Sequence, residues 1–332
     1  MSLHRASSLA LALSLLLTGG AWAGADPLSS EVQGVFARSA GAVVKIEAWD
    51  NNGPLSGTGF FIDPNGTVYT NFSVGGESHD IVIPYGGQRY RATRLAADPR
   101  SGLAILKVEA QKTPFLPLGK SSDLGVASLV MTIGYPLDLP ITPNVGCVGG
   151  FSICYGDRYF AVSHIRANVP AQRGEGGAPL LNMNGEVVGI LESSLDGGAG
   201  CFVLPIEAAE KVQSDVVRYG EARPGWLGIR FDKSDGPDNA IEVQGFVDDS
   251  PAAKSGIQPG DLILQVAGHK ISSLDDVLNA AFYLTAGEEI PLTVSRGGQT
   301  MDIKVTPGPN PLDAVPNPVF SLSVRIVKPG GQ

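Results

Sequence analysis

From residue 43 to residue 204 the chain never settles into a helical period. Short apolar stretches at residues 43–49, 57–62, 103–108 and 129–134 alternate with turn signals, of which Asp63-Pro64-Asn65-Gly66 is the clearest. With 43 glycines and 24 prolines, the chain breaks too often for long helices, and the pattern predicts many short antiparallel strands joined by hairpins. Because no helix-length segment separates these strands, six-stranded barrels are expected rather than a parallel sheet. Further strands are expected at residues 81–83, 89–95, 160–169, 180–181, 187–191 and 201–204.

The start of the chain obeys different rules. His4 and Arg5 precede an apolar run from Leu9 to Leu17, and small residues around Ala23 and Ala25 offer cleavage sites, so residues 1–25 read as a secretory signal peptide. The run is too short to span a bilayer. A formal net charge of -9, one unit more acidic once Arg5 leaves with the leader, argues against a nucleic-acid partner or an anionic membrane surface. In an exported protein, Cys147 and Cys154 are close enough in sequence to staple a hairpin, leaving Cys201 over; three reduced cysteines are the alternative. None has metal-ligand spacing with a histidine, and no cofactor or metal is expected.

After residue 204 the pattern changes. Residues 206–219 form the first convincing helix, and residues 220–224 read as a linker. Beyond it, strands are expected at residues 225–229, 241–247 and 262–266. A short helix is expected over residues 250–256, with Ser250 as its cap, and a longer one over residues 274–284, capped by Ser273. Gly297-Gly298 joins two strands as a hairpin. From Pro307 on, the Pro/Gly-rich composition predicts an extended tail. The expected organisation is a leader (1–25), a β-barrel domain (26–220), a smaller domain (221–306) and a tail (307–332).

The stretch Gly174-Glu175-Gly176-Gly177-Ala178-Pro179-Leu180 is similar to the Gly-rich turn that carries the nucleophile and oxyanion hole of chymotrypsin-type serine proteases. Together with the hairpin from Gly57 to Asn71, the segment Thr70-Asn71-Phe72-Ser73-Val74, the run from Asp98 to Lys107 and Trp226-Leu227-Gly228-Ile229, it resembles the HtrA family of secreted proteases over residues 30–306. That resemblance implies a mostly β fold: a chymotrypsin-like double six-stranded β-barrel followed by a PDZ domain. It also implies that Ser73 stands where the family has its histidine, Gly102 where it has its aspartate and Gly176 where it has its serine. Losing the nucleophile or base of such a triad costs about 10⁶ in turnover. The expectation is a pseudoprotease.

Replacement groups are few. His79 reads as a surface residue, His164 as a packed or surface imidazole, and Cys201 has no histidine that the sequence can place beside it. Glu175 reads as a solvated loop carboxylate. Gly174 and Gly176 can still present backbone donors as an oxyanion-hole-like nest. The loop Trp226-Leu227-Gly228-Ile229 resembles a PDZ carboxylate-binding loop, with the helix from Leu274 expected as the other wall of the groove, Val277, Leu278 and Ala281 lining it, and core filling as the alternative for Leu274 and Leu278. The implied partners are peptides or protein C-termini, and family likeness implies a trimer. The expected function is peptide capture without proteolysis by an exported, periplasmic or extracellular protein that does not insert into a membrane after leader cleavage. The alternatives are an HtrA-type serine endopeptidase with an atypical site, or a non-catalytic subunit that regulates active homologues.

Overall fold

The computed structural model describes residues 26–155, 158–233 and 241–311; the expected leader and the tail beyond residue 311 lie outside the described residues. The chain opens with helix α1 (Pro27–Ser39), which buries Val35. Strands β1 (Val43–Asp50), β2 (Gly53–Phe61) and β3 (Thr67–Asn71) follow, then a single helical turn, α2 (Phe72–Gly75). The first half is completed by β4 (His79–Tyr85), β5 (Gln88–Arg91), β6 (Thr93–Asp98) and β7 (Leu103–Lys107). Its sheet order is β5-β4-β1-β2-β3-β7-β6. The two end strands are separated in sequence by Ala92 alone, so the sheet must roll until its ends meet. Counted as one bent strand, β5–β6 makes this a barrel of six.

The second half is a closed barrel of β8 (Leu129–Gly134), β9 (Thr142–Tyr155), β10 (Arg158–Ala167), β11 (Pro179–Leu181), β12 (Val187–Ser194) and β13 (Cys201–Pro205). Each barrel has its own apolar filling, with Ile46, Phe61, Val68 and Ile83 in the first and Val130, Ile165, Leu180 and Val203 in the second. A third cluster, including Phe60, Tyr69, Met131 and Leu204, packs the two halves together. β9 was not expected from the sequence. Gly146, Gly149, Gly150 and Pro143 dilute its apolar alternation, and tertiary pairing with β8 and β10 supplies what local pattern does not.

Helix α3 (Ile206–Tyr219) coincides with the expected helix. It buries Ile206, Ala208, Ala209 and Val212 on one face and ends at Gly220, whose φ of +81° is the left-handed cap that glycine adopts without strain. The last unit holds β14 (Gly225–Trp226), β15 (Ile229–Lys233), β16 (Ile241–Phe246), β17 (Leu262–Val266), β18 (His269–Lys270), α4 (Leu274–Phe282), β19 (Ile290–Arg296), β20 (Gln299–Val305) and β21 (Gly308–Pro309). The segment expected as one strand at residues 225–229 is broken by Gly228, at φ +72°. The helix expected over residues 250–256 shrinks to a 3-10 turn at Ala252–Lys254. The start of the expected tail is paired, since β21 lies against β14.

Cys147 and Cys154 lie on one strand, β9, rather than across a hairpin. Seven residues of extended chain separate them by about 23 Å, which rules out the staple considered from sequence. Cys201 is buried in the second barrel.

Candidate functional site

The Gly-rich turn is held across the barrel interface by side chains of the first barrel. Thr58 N–H donates to Gly176 O at 2.9 Å, and Thr58 Oγ1 donates to Gly174 O at 2.8 Å while accepting from Tyr135 N–H at 3.1 Å. Thr70 Oγ1 in turn donates to Thr58 O at 2.7 Å. Gly177 has φ +85°, and a Cβ there would run into Thr58, Thr70 and Asn71, so the turn requires glycine on both counts. The N–H groups of Gly174 and Gly176 donate to no group among the described residues.

At Gly176, the space a side chain would enter is occupied by the Asn71 carboxamide, whose Nδ2 lies 2.8 Å from the position of a Cβ. Asn71 also caps α2, accepting from Val74 N–H at 3.2 Å, and donates to Glu192 O at 3.3 Å. Ser73 sits on that helical turn and is exposed. Gly102 has φ +81°, and its O accepts from Phe72 N–H. A Cβ on Gly102 would stand 2.7 Å from Cδ of Glu192 and 3.1 Å from its Oε1, well inside contact distance. The carboxylate of Glu192, a residue of β12 in the second barrel, thus fills the place beside Gly102.

His164 is buried, stacked on Phe160 with ring centroids 4.2 Å apart, and its Nδ1 lies 2.9 Å from Val162 O. It lines a cavity of about 30 Å³ together with Ser101, Gly102, Tyr159 and Glu192. That volume holds about one or two waters, and the hollow is partly open to solvent. Ser101 Oγ is engaged with Asp98 O at 3.4 Å and Leu103 N–H at 3.3 Å. His79 is exposed on β4, as expected of a surface residue. Burial, reinforced by the charge of Glu175, pushes the Cys201 thiol up to about 12, so it does not supply a thiolate near neutral pH.

Glu175 differs from the solvated carboxylate expected. It is 0% exposed, with Oε1 accepting from Asn144 Nδ2 at 2.7 Å and Oε2 accepting from Gln172 N–H at 2.8 Å. Burial raises its pKa and the two hydrogen bonds oppose that shift. Its partner Asn144 lies on β9, the strand the sequence did not disclose, so no local signal could have found the pair.

In the last unit, Trp226 ends β14, Leu227 and Gly228 form the loop, and Ile229 begins β15. The carbonyls of Leu227 and Gly228 accept from Ala252 N–H at 3.0 Å and Val247 N–H at 2.8 Å, whereas their own N–H groups donate to nothing among the described residues. β15 is an edge strand, paired on one side by β16. Gly225 N–H donates to Leu284 O at 2.8 Å, which brings the C-terminal end of α4 beside the loop. Leu278 is half-buried and lies outside the unit's core cluster, while Val277, expected on the groove wall, is buried in that core. α4 also touches both barrels: Asn279 Oδ1 accepts from Ser163 N–H of the second at 2.9 Å, and the guanidinium of Arg100, in the β6–β7 turn of the first, lies 5.7 Å from the Phe282 ring centroid.

Comparison with known proteins places this geometry. Residues 57–190 match the trypsin-like peptidase domain family and residues 225–306 match the PDZ domain family, so the chain is a trypsin-like peptidase domain followed by a PDZ domain. It is a homologue of the HtrA/DegP proteins. It is 32% identical over 270 residues to the "Probable periplasmic serine endoprotease DegP-like" of Pseudomonas fluorescens, covering 77% of this chain and 56% of that protein. With the protein of the same description from Chlamydia trachomatis it shares 29% over 286 residues, 82% of this chain and 58% of the relative. The chain therefore spans little more than half the length of these relatives. Among solved structures, the HtrA-type protease AlgW with tripeptide superposes with a TM-score of 0.70 at 23% identity, covering 84% of this chain and 97% of the other, a likeness of fold. No described helix is long and apolar enough to cross a membrane.

Proposed function

We propose that this chain is an exported HtrA-like pseudoprotease that binds peptides or protein C-termini through its PDZ domain and cuts nothing. The observation that carries the reading is the content of the three triad positions. Ser73 is an exposed hydroxyl, Gly102 faces the carboxylate of Glu192, and Gly176 faces the carboxamide of Asn71. No side chain at these positions can attack a carbonyl and pass its proton to a base. The PDZ loop, by contrast, keeps what supports capture: two N–H groups, of Leu227 and Gly228, with no acceptor among the described residues, and an edge strand open to strand addition. Relatives in which an HtrA-type protease is solved with a tripeptide or a decapeptide support peptide as the ligand class. The periplasmic naming of the DegP-like relatives and the leader-like N-terminus support export.

A second reading, a serine endopeptidase with an unorthodox site, draws on the protease names of the relatives and on Ser101 and His164 lining one cavity. The Ser101 hydroxyl weighs against it, being buried and engaged with Asp98 O and Leu103 N–H. The test of capture is direct. Peptides with free C-terminal carboxylates should bind the full chain in fluorescence polarisation, and the same sequences amidated should not; equal binding of both sets would remove the carboxylate loop from the mechanism.

A further inference from the structure

The loss of a catalytic side chain leaves a hollow unless something moves in, and at residue 102 something has. The side chain of Glu192 comes from β12 in the second barrel and abuts the β6–β7 turn of the first, where a Cβ on Gly102 would lie 2.7 Å from its Cδ. The backbone of the same residue is engaged as well, since Glu192 O accepts from Asn71 Nδ2 at 3.3 Å. Asn71 caps the helical turn bearing Ser73, and that turn returns to Gly102 through the hydrogen bond from Phe72 N–H to Gly102 O. Asn71, Phe72, Gly102 and Glu192 form a closed circuit that crosses the barrel interface twice.

We infer that Glu192 is a positioning residue: its carboxylate joins the two barrels at the cleft and, in the conformation it holds, occupies the space that a side chain at position 102 would enter. The inference rests on the pseudoprotease reading only in taking residue 102 as the acid position. Its consequence is that the cleft is rebuilt, so restoring the triad residues alone does not restore a working site. An aspartate at 102 and a glutamate at 192 would bring two carboxylates into one space, so Glu192 must leave its place and break the link between the barrels, or the two like charges repel.

A double-mutant cycle on the full chain tests this, using Gly102→Ala, Glu192→Ala and the pair. The positive φ at 102 penalises alanine equally in both backgrounds and cancels from the cycle. The expected result is that Gly102→Ala lowers Tm by about 2–4 °C more when Glu192 is present than when it is alanine. Equal Tm losses in the two backgrounds overturn the inference. A second arm reads chemistry by difference: fluorophosphonate labelling of S73H/G102D/G176S should rise about tenfold or more when E192A is added, and equal labelling of the two variants also overturns the inference. Labelling of the unaltered chain would instead sink the pseudoprotease reading, while the coupling between residues 102 and 192 would still be decided by the Tm cycle.

Discussion

Asp215→Ala should be among the most damaging single substitutions in the chain, because Asp215 holds α3, the linker and the PDZ unit at one point. Its carboxylate accepts from Lys211 Nζ at 2.6 Å, from Arg223 N–H at 2.9 Å and from Thr285 Oγ1 at 2.9 Å. The side chains of Lys211 and Asp215 are 9% and 4% exposed, so removing the carboxylate leaves a buried ammonium with no ion-pair partner, little water, and only the opposed charges of Arg100 and Asp98 acting on it. Breaking a buried pair from one side costs about 3–5 kcal/mol. For a domain of this size that corresponds to a Tm loss of about 6–20 °C.

The pH dependence of that loss is diagnostic. Burial pulls the Lys211 pKa below its ordinary 10.5, and the hydrogen bond and charge of Asp215 oppose that pull. In the folded chain the lysine gives up its proton before the unfolded chain does, so its contribution to stability improves as pH rises toward 10.5. Without Asp215 the folded pKa falls further, and the deficit should shrink between about pH 7 and about pH 10 as Lys211 neutralises. Scanning calorimetry of wild type, Asp215→Ala and Asp215→Asn across that range measures it, with the asparagine variant keeping an acceptor but not the charge. A loss under about 1 kcal/mol, or one that does not vary with pH, would refute the reasoning.

The remaining predictions concern single groups. Gly228→Ala places a Cβ 2.8 Å from the Trp226 ring and against Ser250 at φ +72°, so the PDZ loop should distort and affinity for free-carboxylate peptides should fall by about tenfold or more in fluorescence polarisation. Glu175, with its folded pKa raised by burial above the ordinary 4.5, binds a proton in the folded chain where the unfolded chain has lost it. Stability should therefore fall as pH rises from 4.5 through the raised value, a slope that Glu175→Gln should abolish in Tm measurements. Iodoacetamide near neutral pH should alkylate exposed Cys154 before buried Cys201, whose thiol sits at about 12, as read by peptide mass spectrometry.

Where the information is local, the sequence discloses it. The amphipathic face of α3 and its Gly220 cap delimit that helix, and Gly297-Gly298, at φ +57° and +84°, set the β19–β20 hairpin. The likeness that sets Ser73, Gly102 and Gly176 at the proposed triad positions is likewise local, carried by the motif residues that flank each. What the sequence hides is who fills the space. Glu192 reads as one more residue of a strand, and nothing near it in sequence indicates that it reaches a glycine 90 positions earlier. Glu175 looks solvated until β9 brings Asn144 beneath it. Val277 and Leu278 are neighbours on α4, yet one joins the core and the other does not, a division set by how the helix lies on its sheet.

The central claim is chemical, and an active-site-directed phosphonate tests it most directly. Treated beside an HtrA protease with an intact triad, this chain should keep its unmodified intact mass while the control gains one adduct per protomer. A stoichiometric adduct on any serine of this chain, Ser101 included, would contradict the pseudoprotease assignment.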